Sequence, residues 1–434
     1  MQAPATPANV LSFEEARRVV EGHAARVRLI ETKGSAEEVD LLNAAGRILA
    51  EPVLADRDIP PFPRATRDGY AVLSTDVLQP PVSLDVIGEI KAGQSPETVV
   101  TELARGQAVS IMTGAPVPPG ADAVVMVEYT ERQADRVTVT RAVVSGENLV
   151  ARGAEGRQGI LLLDRGSRLT EVGIALAASV GQAWLKVYRR PRIAILTTGD
   201  EIVEASAVPS STQIRNSNSY SLAAQVRRAG GEPALLPIAP DQPQRLRELI
   251  EEGLRFDLLI MTGGVSMGRY DLVEQVLAEL RAEFFFTGAK IQPGRPVVFG
   301  RVPWGGGACS AGSEQALAGE MPAAYFFGLP GNPVSTMVTF ELFARPMLEA
   351  LGGMSPRKLT FLHARLKSEI KVKTGLKRFL PAVLFGEFEN AEVELVAWQG
   401  SGDIAATALS NCYVVVPPDR ERMERGEWVA VMPK

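Results

Sequence analysis

Three glycine-rich stretches carry the residue types best suited to chemistry. They are Thr197-Thr198-Gly199-Asp200-Glu201, Thr262-Gly263-Gly264-Val265-Ser266 and Gly328-Leu329-Pro330-Gly331-Asn332-Pro333. Glycine lets backbone amides approach an anion closely and tolerates positive φ. The threonines and serine add hydroxyl donors. Pro333 suits the first turn of a helix and Asn332 its N-cap, so a helix N-terminus is aimed at the same ligand. Singly, each stretch reads as a turn. Together they read as a phosphate cradle without a Walker lysine. Acids accompany it: Asp200 and Glu201 in the first stretch, Asp241 after a strand and Asp271 at the start of a helix. Carboxylates crowded beside a phosphate repel it unless a cation intervenes. Mg²⁺, a hard ion held by one or two carboxylates plus substrate phosphate, fits that need. Asp271 equally suits helix N-capping, and Asp241 a solvated loop. Arg295, in Lys290-Ile291-Gln292-Pro293-Gly294-Arg295, suits either a bidentate oxyanion fork or a surface salt bridge. Asp68-Gly69, Thr113-Gly114 and Glu155-Gly156 form further polar loops, each weak alone.

The elements that must position these residues follow from hydrophobic periodicity. Short apolar strands at 193–196, 234–238, 258–261 and 297–299 alternate with helices at 219–228, 244–254, 272–280 and 334–351. That alternation predicts an α/β domain with a doubly wound parallel sheet. Ligands bind such sheets outside the carboxyl ends of the strands, where the three glycine-rich stretches fall. Residues 52–144 alternate β-rich segments with Gly/Pro turns and predict a small β-rich module. Residues 359–434 return to strands and predict a C-terminal β-barrel-like domain. Ser12-Phe13-Glu14-Glu15 has capping-box spacing and opens a helix. Further helices are expected over 41–49 and 170–180. The Gly/Ala/Ser-rich segment 303–324 reads as a surface insertion.

Composition excludes several classes. A chain of 434 residues predicts two to four domains. Its net charge of −5 argues against a general nucleic-acid binder. Two histidines, His23 and His363, and two cysteines, Cys309 and Cys412, cannot form a three-His or four-Cys zinc site. They allow at most one disulfide, which favours a reducing compartment. No apolar run approaches a membrane span, and residues 1–9 lack the features of a secretory signal. A cytoplasmic location is expected.

Taken together, the chain resembles the MoeA/gephyrin family, the molybdopterin molybdenumtransferases, from about residue 12 to 431. The resemblance rests on the order and spacing of Asp68-Gly69-Tyr70-Ala71, Ile111-Met112-Thr113-Gly114-Ala115-Pro116, Thr198-Gly199-Asp200-Glu201, Gly263-Gly264-Val265-Ser266 and Gly328-Leu329-Pro330-Gly331-Asn332-Pro333-Val334-Ser335. It implies Mg²⁺-dependent insertion of molybdate into adenylylated molybdopterin, with release of AMP, in molybdenum cofactor biosynthesis. It implies a homodimer with shared active sites, and as possible partners a molybdopterin adenylyltransferase and apo-molybdoenzymes. It also implies four subdomains: 1–50 with 145–186, 51–144, 187–352 and 353–434.

Carried over residue by residue, the match puts the metal at Asp200, Glu201 and Asp271. Substrate binding falls to Thr198, Gly199, Asp241, Gly263, Gly264, Ser266, Pro330, Gly331, Asn332 and Pro333. Asp68, Thr113 and Glu155 match polar positions of the β-rich half. Ser335 and Ser401 match hydroxyls near the molybdate pocket, and Arg295 replaces a family lysine. The chain departs from the family at Arg67, at Gln292 and at Leu380-Pro381, where an arginine is usual. Lys377 and Arg378 are the cations nearest that gap. Other readings are a non-catalytic molybdopterin-binding scaffold, tungstate insertion, a nucleotide amidohydrolase and a molybdopterin adenylyltransferase. The last two leave the flanking modules unexplained.

Overall fold

The computed structural model describes residues 9–31, 36–264, 272–303 and 323–434. Two compact units emerge. The larger joins Met1–Ala50, Arg165–Thr170 and Trp184–Lys434; the smaller joins Glu51–Asp164 and Glu171–Ala183. No helix among the described residues is long and apolar enough to cross a membrane.

In the larger unit the capping box forms as its spacing predicts. Glu15 N–H donates to Ser12 Oγ (3.2 Å), and Ser12 N–H donates to Glu15 Oε2 (2.9 Å). This opens helix α1 (Phe13–Glu31). Its buried stripe of Phe13, Ala16, Val20, Ala24 and Val27 joins the main core. The Phe13 ring lies 6.1 Å from Phe343 and 5.6 Å from Phe379. Burial of that size stabilises by about 3–5 kcal/mol against truncation to alanine.

The α/β domain runs β1 (Arg192–Thr197), α2 (Asn218–Ala229), β2 (Glu232–Leu235), α3 (Pro243–Gly253), β3 (Leu258–Thr262), α4 (Leu272–Glu279), β4 (Glu283–Phe286), β5 (Val298–Pro303), β6 (Ala323–Leu329) and a long helix α5 over 333–351. A turn of π-helix, Phe340–Ala344, interrupts α5. Gly230, at φ +100°, stops α2 in the left-handed region. The sheet order is β2-β1-β3-β6-β5-β4. The first four strands are parallel, with β1 and β3 buried along most of their length as continuous apolar strands.

The sheet is not parallel throughout, however. β5 and β4 run antiparallel at its edge. Alternation with helices predicts a parallel strand at 297–299, whereas β5 pairs antiparallel with β6, a strand the alternation does not include.

The helix expected at 41–49 is absent. Asp40 Oδ1 accepts from the backbone N–H of Leu42 (2.9 Å) and Asn43 (3.2 Å), forming a side-chain-closed turn. Gly46 takes φ +73°, and Leu42 is 93% exposed. Ala44, Ile48 and Leu49 are buried there, but from turns and bridges and not from a helix face. Strand Ala36–Asp40 pairs instead with Trp184–Tyr188.

The C-terminal region closes into a five-strand barrel. β8 (Lys377–Phe385) pairs with both β9 (Glu392–Leu395) and β10 (Cys412–Val416). The ring continues from β9 through β7 (Leu362–Leu366) and β11 (Trp428–Pro433) back to β10. The short strand Ile291–Gln292 adds parallel to the start of β8, with Gln292 opposite Arg378.

The smaller unit contains a six-stranded sheet, as the β-rich pattern predicts. Its order is Ala123–Met126, Gly69–Val72, Gln107–Ile111, Val82–Ile90, Arg136–Val139, Thr130–Gln133. Its central strand Gly69–Val72 is buried on both faces: Tyr70 and Val72 lie in one cluster, Ala71, with Val109 of the neighbouring strand, in another. Gly69 is obligatory, because a Cβ there would sit 1.9 Å from Val125 O. Asp68-Gly69 is thus a strand entry against a neighbouring backbone, more constrained than an ordinary turn.

Candidate functional site

The parallel strands deliver the three glycine-rich stretches to one rim. Register pairs Thr197 with Thr262 and Thr262 with Leu329, so β1, β3 and β6 end level. Gly263 takes φ +87°, and a Cβ there would lie 2.5 Å from Thr198 O. A Cβ on Gly331 would lie 3.5 Å from Gly263 Cα. Gly199, at φ +133°, leaves no room for a side chain beside the Glu201 carboxylate, 2.6 Å away. Thr198, Gly199, Gly263, Gly264, Pro330, Gly331, Asn332 and Pro333 therefore form one cradle. Two buried polar atoms near it, Thr198 Oγ1 and Asn218 Oδ1, have no hydrogen-bond partner. Buried polar atoms are seldom left so. Ser266 lies outside the described residues.

The acids collect beside the cradle. Asp241 N–H donates to Asp200 Oδ1 (3.0 Å). Partial burial, then the charges of Asp200 and Glu201, hold the Asp241 carboxyl above its usual range. Mutual repulsion among oxygen donors is the environment a hard cation relieves, so these residues suit Mg²⁺. Asp271 lies outside the described residues. Among the described residues no three His, Cys, Asp or Glu side chains close to a metal-binding group.

Asn332 occupies the N-cap position of α5 with Pro333 next, as expected, but its side chain makes no cap bond. Its Nδ2 donates instead to Ser401 Oγ (2.9 Å), and Val334 N–H donates to Ser401 O (3.0 Å). The loop before helix Ile404–Ala408 thus meets the start of α5. Gly294 approaches the same helix: its Cβ would lie 3.6 Å from Ser335 O. Ser335 is buried, and Arg295 is exposed. Ser335, Ser401, Gln292 and Arg378 are thereby held around the start of α5 and the first residues of β8.

The cations near the missing family arginine behave differently. Lys377 is ion-paired with Glu14, and its ammonium lies 4.6 Å from the Phe13 ring centroid. Arg378 is buried, donates to Leu376 O (3.1 Å), and is lowered in pKa by desolvation. Arg378 is thus held inside the fold near the start of β8, and Lys377 serves the α1 contact.

In the smaller unit Asp68 Oδ1 accepts from Thr113 N–H (2.6 Å) and Thr113 Oγ1 (2.7 Å). These bonds, the backbone one first, hold the Asp68 carboxyl below its usual range. Glu155 pairs with Arg64 Nη2 (2.7 Å). Arg67 is exposed and donates to Thr66 O (3.3 Å). The structure therefore joins Asp68 to Thr113 but gives Glu155 a different partner.

Neither histidine nor cysteine enters the site where described. His23 stacks on Phe285 at 3.9 Å, and its Nδ1 lies 3.1 Å from Tyr325 Oη. Burial pushes the Cys412 thiol up to about 11, leaving it unreactive. Cys309 lies outside the described residues. Asn218, which donates to Gly331 O (2.7 Å) and Thr262 Oγ1 (2.9 Å), escaped sequence reading. An asparagine at a helix start looks like a cap.

Three family models match this chain. The MoeA N-terminal region (domain I and II) covers 11–181, a probable molybdopterin binding domain covers 194–350, and the MoeA C-terminal region (domain IV) covers 363–434. Fold and site thus define a multidomain MoeA-like protein built around an α/β molybdopterin-binding domain. A molybdopterin molybdenumtransferase of a Nostoc species is 36% identical, over 93% of this chain and 90% of its own. That of Bacillus subtilis is 31% identical, over 94% and 92%. The crystal structure of the molybdopterin biosynthesis MoeA protein of Pyrococcus horikoshii matches with a TM-score of 0.73 at 28% identity, covering 98% of this chain and 100% of that one. The chain belongs to the molybdopterin molybdenumtransferase family and is a transferase of molybdenum cofactor biosynthesis.

Proposed function

We propose that this protein inserts molybdate into adenylylated molybdopterin and releases AMP, in a reaction that requires Mg²⁺. The observation that carries the proposal is the glycine cradle beside acids that raise the Asp241 carboxyl, on a chain matched over 93% of its length by a molybdenumtransferase. In this reading the amides of Gly263, Gly264 and Gly331 hold the phosphoanhydride. Asp200 and Glu201, with Asp271, would hold Mg²⁺, with Asp241 adjoining. Bound there, the ion would neutralise phosphate charge and favour departure of AMP. Ser335, Ser401, Arg378 and Arg295 receive molybdate, guanidinium being well suited to a tetrahedral oxyanion. Asp68 and Thr113 act as a fixed acceptor and hydroxyl pair, and Glu155 as a further polar contact.

Four further points belong to the same reading. The protein works in the cytoplasm as a homodimer whose partner chain completes each site. It receives substrate from a molybdopterin adenylyltransferase and serves apo-molybdoenzymes. The subdomains are 1–50 with 145–186, 51–144, 187–352 and 353–434, a division supported by the family-model limits at 181, 194, 350 and 363. The test is reconstitution. Purified protein, adenylylated molybdopterin, Mg²⁺ and molybdate should yield a product that activates an apo-molybdoenzyme. Product that lacks molybdenum, or that fails to activate, contradicts the proposal.

A further inference from the structure

We infer that Asn218 is a positioning residue for substrate: its side-chain amide sets the spacing of the two loops that form the cradle. The inference rests on the function proposed above for what the cradle holds. Helix α2 opens on Asn216-Ser217-Asn218. The N-cap residue Ser217 makes no side-chain cap bond. Asn216 does that work: its Oδ1 accepts from Ser219 N–H (3.1 Å), and its Nδ2 donates to Ser219 Oγ (2.9 Å). Asn218 is therefore not needed to start the helix, and asparagine is a poor residue inside one.

The side chain of Asn218 is committed elsewhere. It is buried at 9% exposure, and its Nδ2 donates to Gly331 O at 2.7 Å and Thr262 Oγ1 at 2.9 Å. A carbonyl can only accept, so chemistry fixes which end of the amide is nitrogen. Thr262 Oγ1 donates onward to Pro330 O (3.2 Å), which also accepts from Thr336 Oγ1 (2.5 Å). One amide on α2 thus ties the end of β3 to the loop after β6. The position a Gly331 Cβ would take is 3.5 Å from Gly263 Cα, so the gap between the two loops would hold no more than a methyl group. Any change in the tie moves the amides of Gly263 and Gly331 relative to each other. The Oδ1 left without a partner points the same way, because a side chain present for packing alone leaves no buried acceptor unpaired.

Asn218→Asp keeps the volume but sets a second oxygen against Gly331 O. We expect faster amide hydrogen exchange in peptides covering 258–264 and 328–332, and a Tm within a few degrees of the parent. KM for adenylylated molybdopterin should rise about tenfold with kcat within about twofold, the pattern of lost binding. Asn216→Ser, which disturbs the helix start, should lower Tm and leave KM in place. Unchanged exchange in both loops overturns the tie, whatever the protein's activity. Faster exchange with unchanged KM, or a loss of Tm and kcat together without a KM effect, overturns the substrate role. Faster exchange in a protein whose parent shows no turnover upholds the tie and counts against the proposed reaction instead.

Discussion

Asp241 and Asp68 both sit beside glycine turns, yet their surroundings treat them in opposite ways. Asp241 is partly buried and faces Asp200 and Glu201, which make its ionisation harder. Asp68 receives two donors from Thr113, which make ionisation easier. Among the described residues the charges felt at Asp241 are negative, whereas Asp68 is held by donors. On the proposed function, that difference separates a place that would receive a cation from one that would present a fixed acceptor.

Five substitutions would break or sharpen that contrast. The largest effect should come from Gly263→Ala, which forces a side chain into a positive-φ position against Thr198 O. It should cost about 1–3 kcal/mol of stability and about 100-fold or more in turnover, measured by denaturant unfolding and by product formation. Asp200→Asn follows. Turnover at fixed Mg²⁺ should fall about 100-fold, partly restored by raising Mg²⁺, since on the proposed function one anionic ligand is lost. Asp68→Ala should cost about tenfold in turnover and leave the Mg²⁺ requirement unchanged, the pattern of a lost hydrogen-bonding group. A shifted Mg²⁺ requirement in that variant would erase the distinction between the two sites.

The smallest effect is on stability against pH, and its sign differs between the sites. Asp241 is raised in the folded state, so its contribution is full below the ordinary carboxylate range and is lost as pH rises through its folded value. Metal-free Asp241→Asn should therefore melt slightly above the parent at neutral pH, with the gap closing in acid. Asp68 is lowered, so its contribution is full above the ordinary range, about 3.9, and is lost as pH falls through its folded value. Asp68→Asn should melt slightly below the parent at neutral pH, again converging in acid. Shifts of the same sign in both variants would contradict the contrast.

Much of this was legible in the sequence where local chemistry decides the structure. The capping box at Ser12, the stop at Gly230 and the apolar runs of β1 and β3 each depend on neighbours a few residues away. The rim residues followed because parallel strands end together. What escaped depends on distant partners. The 41–49 segment carries helix-like periodicity, but Asp40 closes a turn and Gly46 takes a left-handed conformation. The antiparallel β5 depends on pairing with β6, which follows residues 304–322 in the chain. Asn332 stands at the cap position read from sequence, yet its side chain serves Ser401, sixty-nine residues away. Lys377, one of the cations nearest the Leu380-Pro381 departure, is ion-paired with Glu14 from the far end of the chain.

The most direct measurement is AMP release from adenylylated molybdopterin in a single turnover, with molybdate and Mg²⁺ each added or withheld. The account predicts stoichiometric AMP only when both are present, and a sharp loss in Asp200→Asn. AMP released at the same rate without molybdate, or a rate indifferent to Mg²⁺ and to Asp200, would contradict it.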